Sequence, residues 1–208
     1  MRISSSSSSS GSRLPYPKAM SEYTAIRAIS QSLRELVENN IPLPGVTVAL
    51  STPSEFTGQG ISIWLYRVTR NENLLNQPQR RVTAGQRARR PLPINLHYLF
   101  TPLMNDPLDE QLLLGRILQL FNDIPVLRGS DLRDSLAGED EDFRIHLEML
   151  TLEELTRVWS ALQESYQTSL SYLVEVVEID AGQEPEAVTP VQTHETTYSQ
   201  IVAADSPS

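Results

Sequence analysis

The 208-residue sequence has no cysteine and only one lysine, Lys18. Without cysteine, disulfide bonds and zinc sites built on thiolates are excluded. The sequence also has no G-x-x-x-x-G-K and no G-x-G-x-x-G pattern, which argues against nucleotide binding and phosphoryl transfer. A chain of this length buries about 70% of its unfolded surface, so a hydrophobic core can stabilise it without a disulfide or a metal.

Basic residues are scarce as a class. The 17 Lys and Arg residues stand against 26 Asp and Glu residues, which gives a net charge of −9. Binding to nucleic acid phosphates requires a basic protein surface, so a general nucleic-acid binder is disfavoured and we expect protein partners.

Long apolar runs are also missing. No stretch of 18 apolar residues occurs, so no transmembrane segment is predicted. Arg2 is followed by a run of serines, residues 4–10, where a secretory signal would carry an apolar segment. We therefore expect a soluble, cytoplasmic protein.

Catalytic signatures are absent as well. The three histidines, His97, His146 and His194, are far apart in the sequence, and neither H-E-x-x-H nor G-x-S-x-G occurs. His97 and His146 lie at polar positions of predicted strands, where a solvent-facing or hydrogen-bonded role is favoured over a ligand or base role. No catalytic residue, metal or cofactor is predicted, and we do not expect an enzyme.

The chain divides into three parts. Residues 1–19 are rich in serine and cannot bury enough side chain to offset their ordering entropy, which predicts a disordered leader. Residues 181–208 carry three prolines and no sustained apolar period, which predicts a flexible tail. Residues 20–180 are predicted to form a single folded domain.

Apolar periodicity predicts three main helices. Residues 21–39 have apolar side chains at steps of three and four, with Ser21 as the expected cap. Asn105-Asp106-Pro107 is typical of a second helix start, with a side-chain cap followed by proline at the first helical position. Thr151 and Glu154 have the spacing of a capping box and begin the third helix. A short helix is also predicted at residues 131–137.

Alternating apolar residues predict four to five strands. Residues 61–68 are apolar on both faces, which indicates a central strand covered on both sides. The other predicted strands are residues 46–50, 94–101, 143–149 and 170–180. This order of elements predicts an α/β (α+β) sandwich, in which a mixed sheet of four to five strands packs with three main helices.

The Arg-rich segment, residues 67–90, departs from the overall charge. It contains seven arginines and one acid, Glu72, which gives a local charge of +6. Its polar part, residues 70–93, is too long for an ordinary connection. Arginine suits bidentate pairing with carboxylates, so we expect this segment to bind an acidic protein surface. The candidate contact residues are Arg70, Arg80, Arg81, Arg87, Arg89 and Arg90.

Two other interpretations of the Arg-rich segment stay open. It could be a flexible basic loop without a binding role, or it could contact RNA or DNA. The second is disfavoured because no aromatic residue lies between Tyr66 and Tyr98 to stack on bases.

An ordered set of short motifs resembles a known family. The set comprises Tyr23-x-Ala25-Ile26, Leu65-Tyr66-Arg67-Val68 followed by Asn71, Asn73 and Asn76, Leu96-His97-Tyr98-Leu99-Phe100-Thr101, Leu113-Leu114-Gly115 with Pro125 downstream, Leu152-Glu153-Glu154-Leu155-x-x-x-Trp159, and Tyr172-Leu173-Val174. In this order and spacing, over residues 20–180, the chain is similar to the cap proteins of extracellular contractile injection systems. These proteins are relatives of phage tail terminators and often extend further at the C-terminus.

The resemblance implies a structural role. It implies a tail-terminator-like fold and a hexameric ring that closes the distal end of the inner tube and contacts the sheath. The expected partners are therefore tube and sheath proteins, and the chain would act within an assembled particle. Two rivals remain: a monomeric adaptor that binds acidic partners through the Arg-rich segment, and a hydrolase whose site forms at a subunit interface. The second would require His97 or His146 beside a carboxylate and a hydroxyl.

Overall fold

The computed structural model describes residues 23–41, 43–72, 81–83, 86–87, 91–138, 141–179 and 186–187. The predicted leader lies outside this part of the chain, as does most of the predicted tail.

The described residues form three α-helices, nine strands and two short 3₁₀ turns. The helices are α1 (Ala25–Asn40), α2 (Pro107–Asp123) and α3 (Leu152–Leu162). The strands are β1 (Thr47–Ala49), β2 (Gly60–Arg70), β3 (Arg81–Thr83), β4 (Gln86–Arg87), β5 (Leu92–Leu103), β6 (Val126–Arg128), β7 (Asp142–Glu148), β8 (Leu170–Ile179) and β9 (Glu186–Ala187).

Six of the strands form a mixed central sheet in the order β1-β2-β5-β8-β7-β6. β1 is parallel to β2, and the other neighbours are antiparallel. The predicted α/β class, mixed sheet and three main helices are confirmed, but the predicted strand count is one too low. The sequence prediction missed β6, because three residues directly after Pro125 are too few to show an alternating pattern.

The helix starts follow the predicted local signals in two of three cases. The Asp106 side chain accepts a hydrogen bond from the Leu108 amide at 2.9 Å and caps α2. Thr151 and Glu154 form a complete capping box on α3. The predicted cap of α1 is wrong: α1 begins at Ala25, after Thr24, whose hydroxyl donates to Ser135 at 2.9 Å and does not cap the helix.

α1 and α2 pack on one face of the sheet, which we call the helix face. Alternate residues of the central strands supply its buried side chains, and these are Ile61, Ile63, Leu96, Tyr98, Phe100, Tyr172 and Val174. Three rings meet at its centre, with Phe100 and Phe121 5.2 Å apart and Phe121 and Tyr172 4.6 Å apart between centroids. The core therefore follows directly from the alternation of the strands and the period of the helices.

The predicted short helix at residues 131–137 is replaced by two 3₁₀ turns, Gly129–Asp131 and Asp134–Leu136. Arg133 holds this region against α1. Its main-chain amide donates to Ser32 at 2.9 Å, and its guanidinium pairs with Glu35 at 2.6 Å.

Gly60 permits the parallel pairing of β1 with β2. Its φ of +155° is a conformation that side chains with a Cβ rarely adopt, and a Cβ there would lie 1.9 Å from the Thr47 carbonyl oxygen. Only glycine lets the two strands approach at this point.

Candidate docking surface and polar network

The polar part of the Arg-rich segment, residues 70–93, begins where β2 ends. Arg70 is the last residue of β2, is exposed, and lies opposite Ile94 of β5. The Asn71 amide donates to the Pro93 carbonyl at 2.9 Å, so the two chain segments are still paired at this point. The connection between β2 and β5 thus leaves the sheet from a defined position at one end.

Part of the connection forms a second, three-stranded sheet in the order β3-β4-β9. Its register places Arg81 opposite Arg87, and Arg87 opposite Glu186. β9 comes from the region predicted to be a flexible tail. An acidic residue more than ninety positions away in the sequence is thereby aligned with one of the candidate arginines.

The structure describes three of the six candidate arginines: Arg70 ends β2, and Arg81 and Arg87 lie opposite each other in β3 and β4. Arg80, Arg89 and Arg90 lie outside the described residues. The expectation of one long connection is refined, because short strands interrupt it and its last residues, from Leu92 onward, already belong to β5.

The other face of the central sheet carries a polar network, and we call it the network face. Its centre is Glu148 at the end of β7. Glu148 accepts hydrogen bonds from His97 Nδ1 at 3.0 Å, from the Ser171 hydroxyl at 2.8 Å and from the Tyr66 hydroxyl at 3.0 Å. On the other side of the imidazole, the Thr69 hydroxyl lies 2.8 Å from His97 Nε2. Four adjacent strands are thus joined by one set of hydrogen bonds.

A β-bulge brings Tyr66 into this network. The register between β2 and β5 shifts between Leu65 and Arg67, so Tyr66 is an extra residue without its own cross-strand partner. The shift redirects side chains of β2, and the Tyr66 hydroxyl reaches across β5 to Ser171 at 2.9 Å. The sequence contains no signal of this bulge.

The network changes the pKa values of two of its members. Partial burial acts to raise the pKa of Glu148, but hydrogen bonds from His97, Ser171 and Tyr66 outweigh it and hold this pKa below the ordinary value of 4.5. Burial raises the pKa of Tyr66 to about 12, and the nearby negative charge of Glu148 contributes. Near neutral pH, the network therefore contains an ionised carboxylate and a neutral phenol.

His97 was predicted to be either solvent-facing or hydrogen-bonded. The hydrogen-bonded alternative is confirmed, and His97 is only 6% exposed. His146 is half-exposed and lies 3.3 Å from Glu175.

His97 also has the carboxylate and hydroxyl neighbours that the hydrolase interpretation required. Such a site further needs a cleft beside the nucleophile with donors for an oxyanion. Of three grooves lined by described residues, one includes Glu148 and Ser171 and another includes His146, whereas Thr69 and His97 line none of the three.

Within the described ranges, no three His, Asp or Glu side chains are grouped so that they could hold a metal ion. Among the helices of that same part of the chain, none combines the length and apolar character that a membrane span requires.

Comparison with known proteins shows the family. Residues 28–193 match the family model described as the Pvc16 N-terminal domain, and the chain belongs to this family. The match confirms the resemblance that the sequence motifs indicated, and it includes β9. A search of curated protein sequences found no match.

Two solved structures share the fold. One is the sheath/tube terminator of the extracellular contractile injection system PVC in its extended state, with a TM-score of 0.58 and 16% identity over 89% of this chain. The other is the tube-terminating cap of the anti-feeding prophage, with a TM-score of 0.55 and 17% identity over 82% of this chain. The matches span 67% and 60% of those chains, so this chain covers about two thirds or less of their length.

Proposed function

We propose that this chain is a non-catalytic structural protein that caps the distal end of the tube and sheath of a contractile injection system and so terminates assembly. The observation that carries the proposal is the family match over residues 28–193, together with the fold shared with a sheath/tube terminator and a tube-terminating cap. In the proposal, the chain acts as a homo-hexameric ring within the assembled particle.

The mixed α/β body suits this role. The helix face is a core of buried apolar side chains, and side-chain hydrogen bonds on the network face join four strands. Both features hold the body in a fixed shape. A rigid body can present its loops to repeated copies of a partner in fixed positions. A cap needs such positioning, whereas it needs no reaction centre.

In the proposal, the Arg-rich segment docks on the last ring of tube or sheath subunits. Arg81 and Arg87 lie opposite each other in β3 and β4, and the segment carries a charge of +6 in a chain whose total is −9. A basic patch on an otherwise acidic protein attracts an acidic partner surface, whereas two basic patches repel each other. Arginine also forms bidentate pairs with carboxylates at partly dehydrated interfaces.

The test replaces Arg87, Arg89 and Arg90 with Ser in the full chain. We expect a folded, ring-forming protein that no longer terminates particles, because the charged contacts to the partner are lost. Electron microscopy of particles made with this variant should show open or irregular ends and a broad length distribution. The far-ultraviolet circular dichroism spectrum and the oligomeric mass should match those of the unchanged protein.

A matched control replaces three exposed arginines elsewhere, Arg27, Arg144 and Arg157, with Ser. This control changes the net charge by the same amount and should still terminate particles. Normally capped particles from the Arg87, Arg89 and Arg90 variant would refute the docking role. Regular, intact particle ends in cells lacking the whole chain would refute the capping function itself.

Measurement of the oligomeric mass distinguishes a ring-forming cap from a monomeric adaptor. A ring-forming cap gives an oligomeric mass alone or with tube protein present, whereas an adaptor stays monomeric in both cases and binds acidic partners as a single chain.

A further inference from the structure

A long stretch of β2 is paired on one side only. β1 pairs with β2 at residues 60–62 and goes no further along it. β2 continues to Arg70, and β5 pairs with it on the other side over that length. Within the part of the chain that the structure describes, no strand lies beside residues 63–70 on the side away from β5. This stretch of β2 is therefore an open edge of the central sheet.

The register with β5 shows which main-chain groups of the open edge are free. The Asn71 amide donates to the Pro93 carbonyl at 2.9 Å, so it points toward β5. Hydrogen-bonded and non-hydrogen-bonded pairs alternate along an antiparallel ladder, and Val68 and Arg70 hold the non-hydrogen-bonded positions. Their amide and carbonyl groups therefore point away from β5, toward the open side.

The side chains of the open edge are basic and apolar. Arg67 lies opposite His97 and is therefore on the network face. Val68 and Arg70 lie opposite buried core residues of β5 and are on the helix-face side. Both arginines are exposed, and Val68 is 47% exposed. Neither arginine forms a salt bridge with another described residue. The edge thus presents two uncompensated positive charges, one on each face, with an apolar side chain between them.

These charges select the kind of strand that fits beside β2. The same edge of a second copy would bring arginine against arginine, and like charges on paired strands repel. The outer strands β1 and β6 read Thr-Val-Ala and Val-Leu-Arg, so a second copy offers no carboxylate from them either. An extended segment of a different protein that carries carboxylates would pair with both arginines.

We propose that the open edge of β2 receives an extended acidic segment of the protein that this chain caps, as an added strand. The inference rests on the proposed function and names how the partner is held. Main-chain hydrogen bonds to Val68 and Arg70 provide affinity, and the carboxylates provide selectivity. Because Arg67 and Arg70 are on opposite faces and side chains alternate along a strand, the two carboxylates lie an odd number of positions apart.

A groove beside β2 has room for the end of such a segment. It lies where the pairing with β1 stops, and Leu50, Glu55, Trp64 and Leu65 are among the residues that line it. Its volume is about 310 Å³, and Leu50 is 42% exposed. Since Glu55 would repel a carboxylate here, this end of the segment is apolar. The carboxylates follow further along, beside the two arginines.

A proline substitution tests the main-chain contact. Val68→Pro removes the outward amide hydrogen and leaves the ladder with β5 intact, because that amide takes no part in it. Val68→Thr is the matched control, since it keeps the amide and a β-branched side chain. We expect particles made with Val68→Pro to have several-fold fewer capped ends in electron micrographs than particles made with Val68→Thr. Equal capping by the two variants, both folded by circular dichroism, would overturn the proposal.

Charge reversal tests the side-chain contact. Arg67→Glu combined with Arg70→Glu should lower the number of capped ends several-fold, because it sets carboxylates against carboxylates. The control combines Arg116→Glu and Arg144→Glu, two exposed positions on α2 and β7. It changes the net charge by the same amount and should cap normally. If the two double variants cap to the same extent, the edge arginines do not select the partner and the proposal fails.

Hydrogen exchange tests the same edge without any substitution. The Val68 and Arg70 amides should exchange several-fold more slowly in purified capped particles than in the isolated protein, because the added strand accepts their hydrogen bonds. Equal exchange in the two samples would overturn the proposal. Protection of these amides already in the isolated protein would overturn it too, because the edge would then be covered by this chain or by a second copy.

Failure of this inference and failure of the proposed function give different results. Suppose that Val68→Pro caps normally, while particles from cells that lack the chain have irregular ends. Capping then stands, and the partner is held at another surface. If particles from cells that lack the chain keep regular, intact ends, the proposed function fails and this inference fails with it.

Discussion

On the helix face of the central sheet, stability comes from contact between apolar side chains, whereas on the network face it comes from hydrogen bonds to one carboxylate. Phe100 is fully buried between Phe121 and Tyr172. Glu148 on the network face accepts hydrogen bonds from three side chains on three other strands. Apolar packing has no preferred direction, while each hydrogen bond fixes two atoms in position.

The two faces of the sheet therefore respond differently to substitution. The helix face tolerates apolar substitutions that keep its volume filled. The network face is less tolerant, because one missing partner leaves a buried polar group unsatisfied. In the proposed cap, the helix face provides stability and the network face fixes the alignment of the strands.

The largest expected effect is on the helix face. Phe100→Ala should lower the free energy of unfolding by about 3–5 kcal/mol, because it removes a buried ring and leaves a cavity between two others. Urea denaturation measures the loss. Leu112→Ala, at an exposed position of α2, is the control and should change stability by less than about 0.5 kcal/mol. Equal effects for the two variants would contradict the assignment of the core.

A smaller effect is expected on the network face. Glu148→Gln should lower the free energy of unfolding at pH 7 by about 1–3 kcal/mol, because an amide cannot accept all the hydrogen bonds of a carboxylate. Since the pKa of Glu148 is lowered on folding, its contribution is present above pH 4.5 and is lost as the pH falls through the folded-state value. The stability difference between the two proteins should therefore shrink below pH 4.5.

Urea denaturation over a pH series measures this difference. Glu153→Gln is the control, because Glu153 is exposed on α3 and pairs with Arg157 on the same helix. It should cost only about 0.3–0.5 kcal/mol. A pH-independent difference between the unchanged protein and Glu148→Gln would show that the charge of Glu148 does not stabilise the network.

The smallest expected effect concerns α3, which buries only Trp159, whereas α2 buries four apolar residues. With so little packing, α3 depends on its capping box. Thr151→Ala should cost about 1 kcal/mol and speed hydrogen exchange in the first turn of α3. Thr156→Ala, the same change in the middle of the helix, should be neutral or slightly stabilising. Faster exchange in both variants alike would point to loss of threonine itself and not of the cap.

The sequence was a good guide to elements whose signals are local. The starts of α2 and α3 depend on contacts two or three residues apart, and the prediction placed both correctly. The predicted start of α1 was wrong: the helix begins after Thr24, whose hydroxyl donates to Ser135, a contact more than a hundred residues away that no local signal shows. The candidate arginines were grouped by charge, but nothing in the sequence indicated that Glu186 would align with Arg87.

The amino-acid sequence by itself determined the alternation of the strands, the period of the helices and the concentration of arginine in one segment, because each depends on neighbours along the chain. Only the tertiary structure decided that Tyr66, His97, Glu148 and Ser171 meet, and that a bulge in β2 brings Tyr66 among them. These features depend on which strands lie side by side and in which register. That choice is made by the packing of the whole sheet, and no short stretch of sequence contains it.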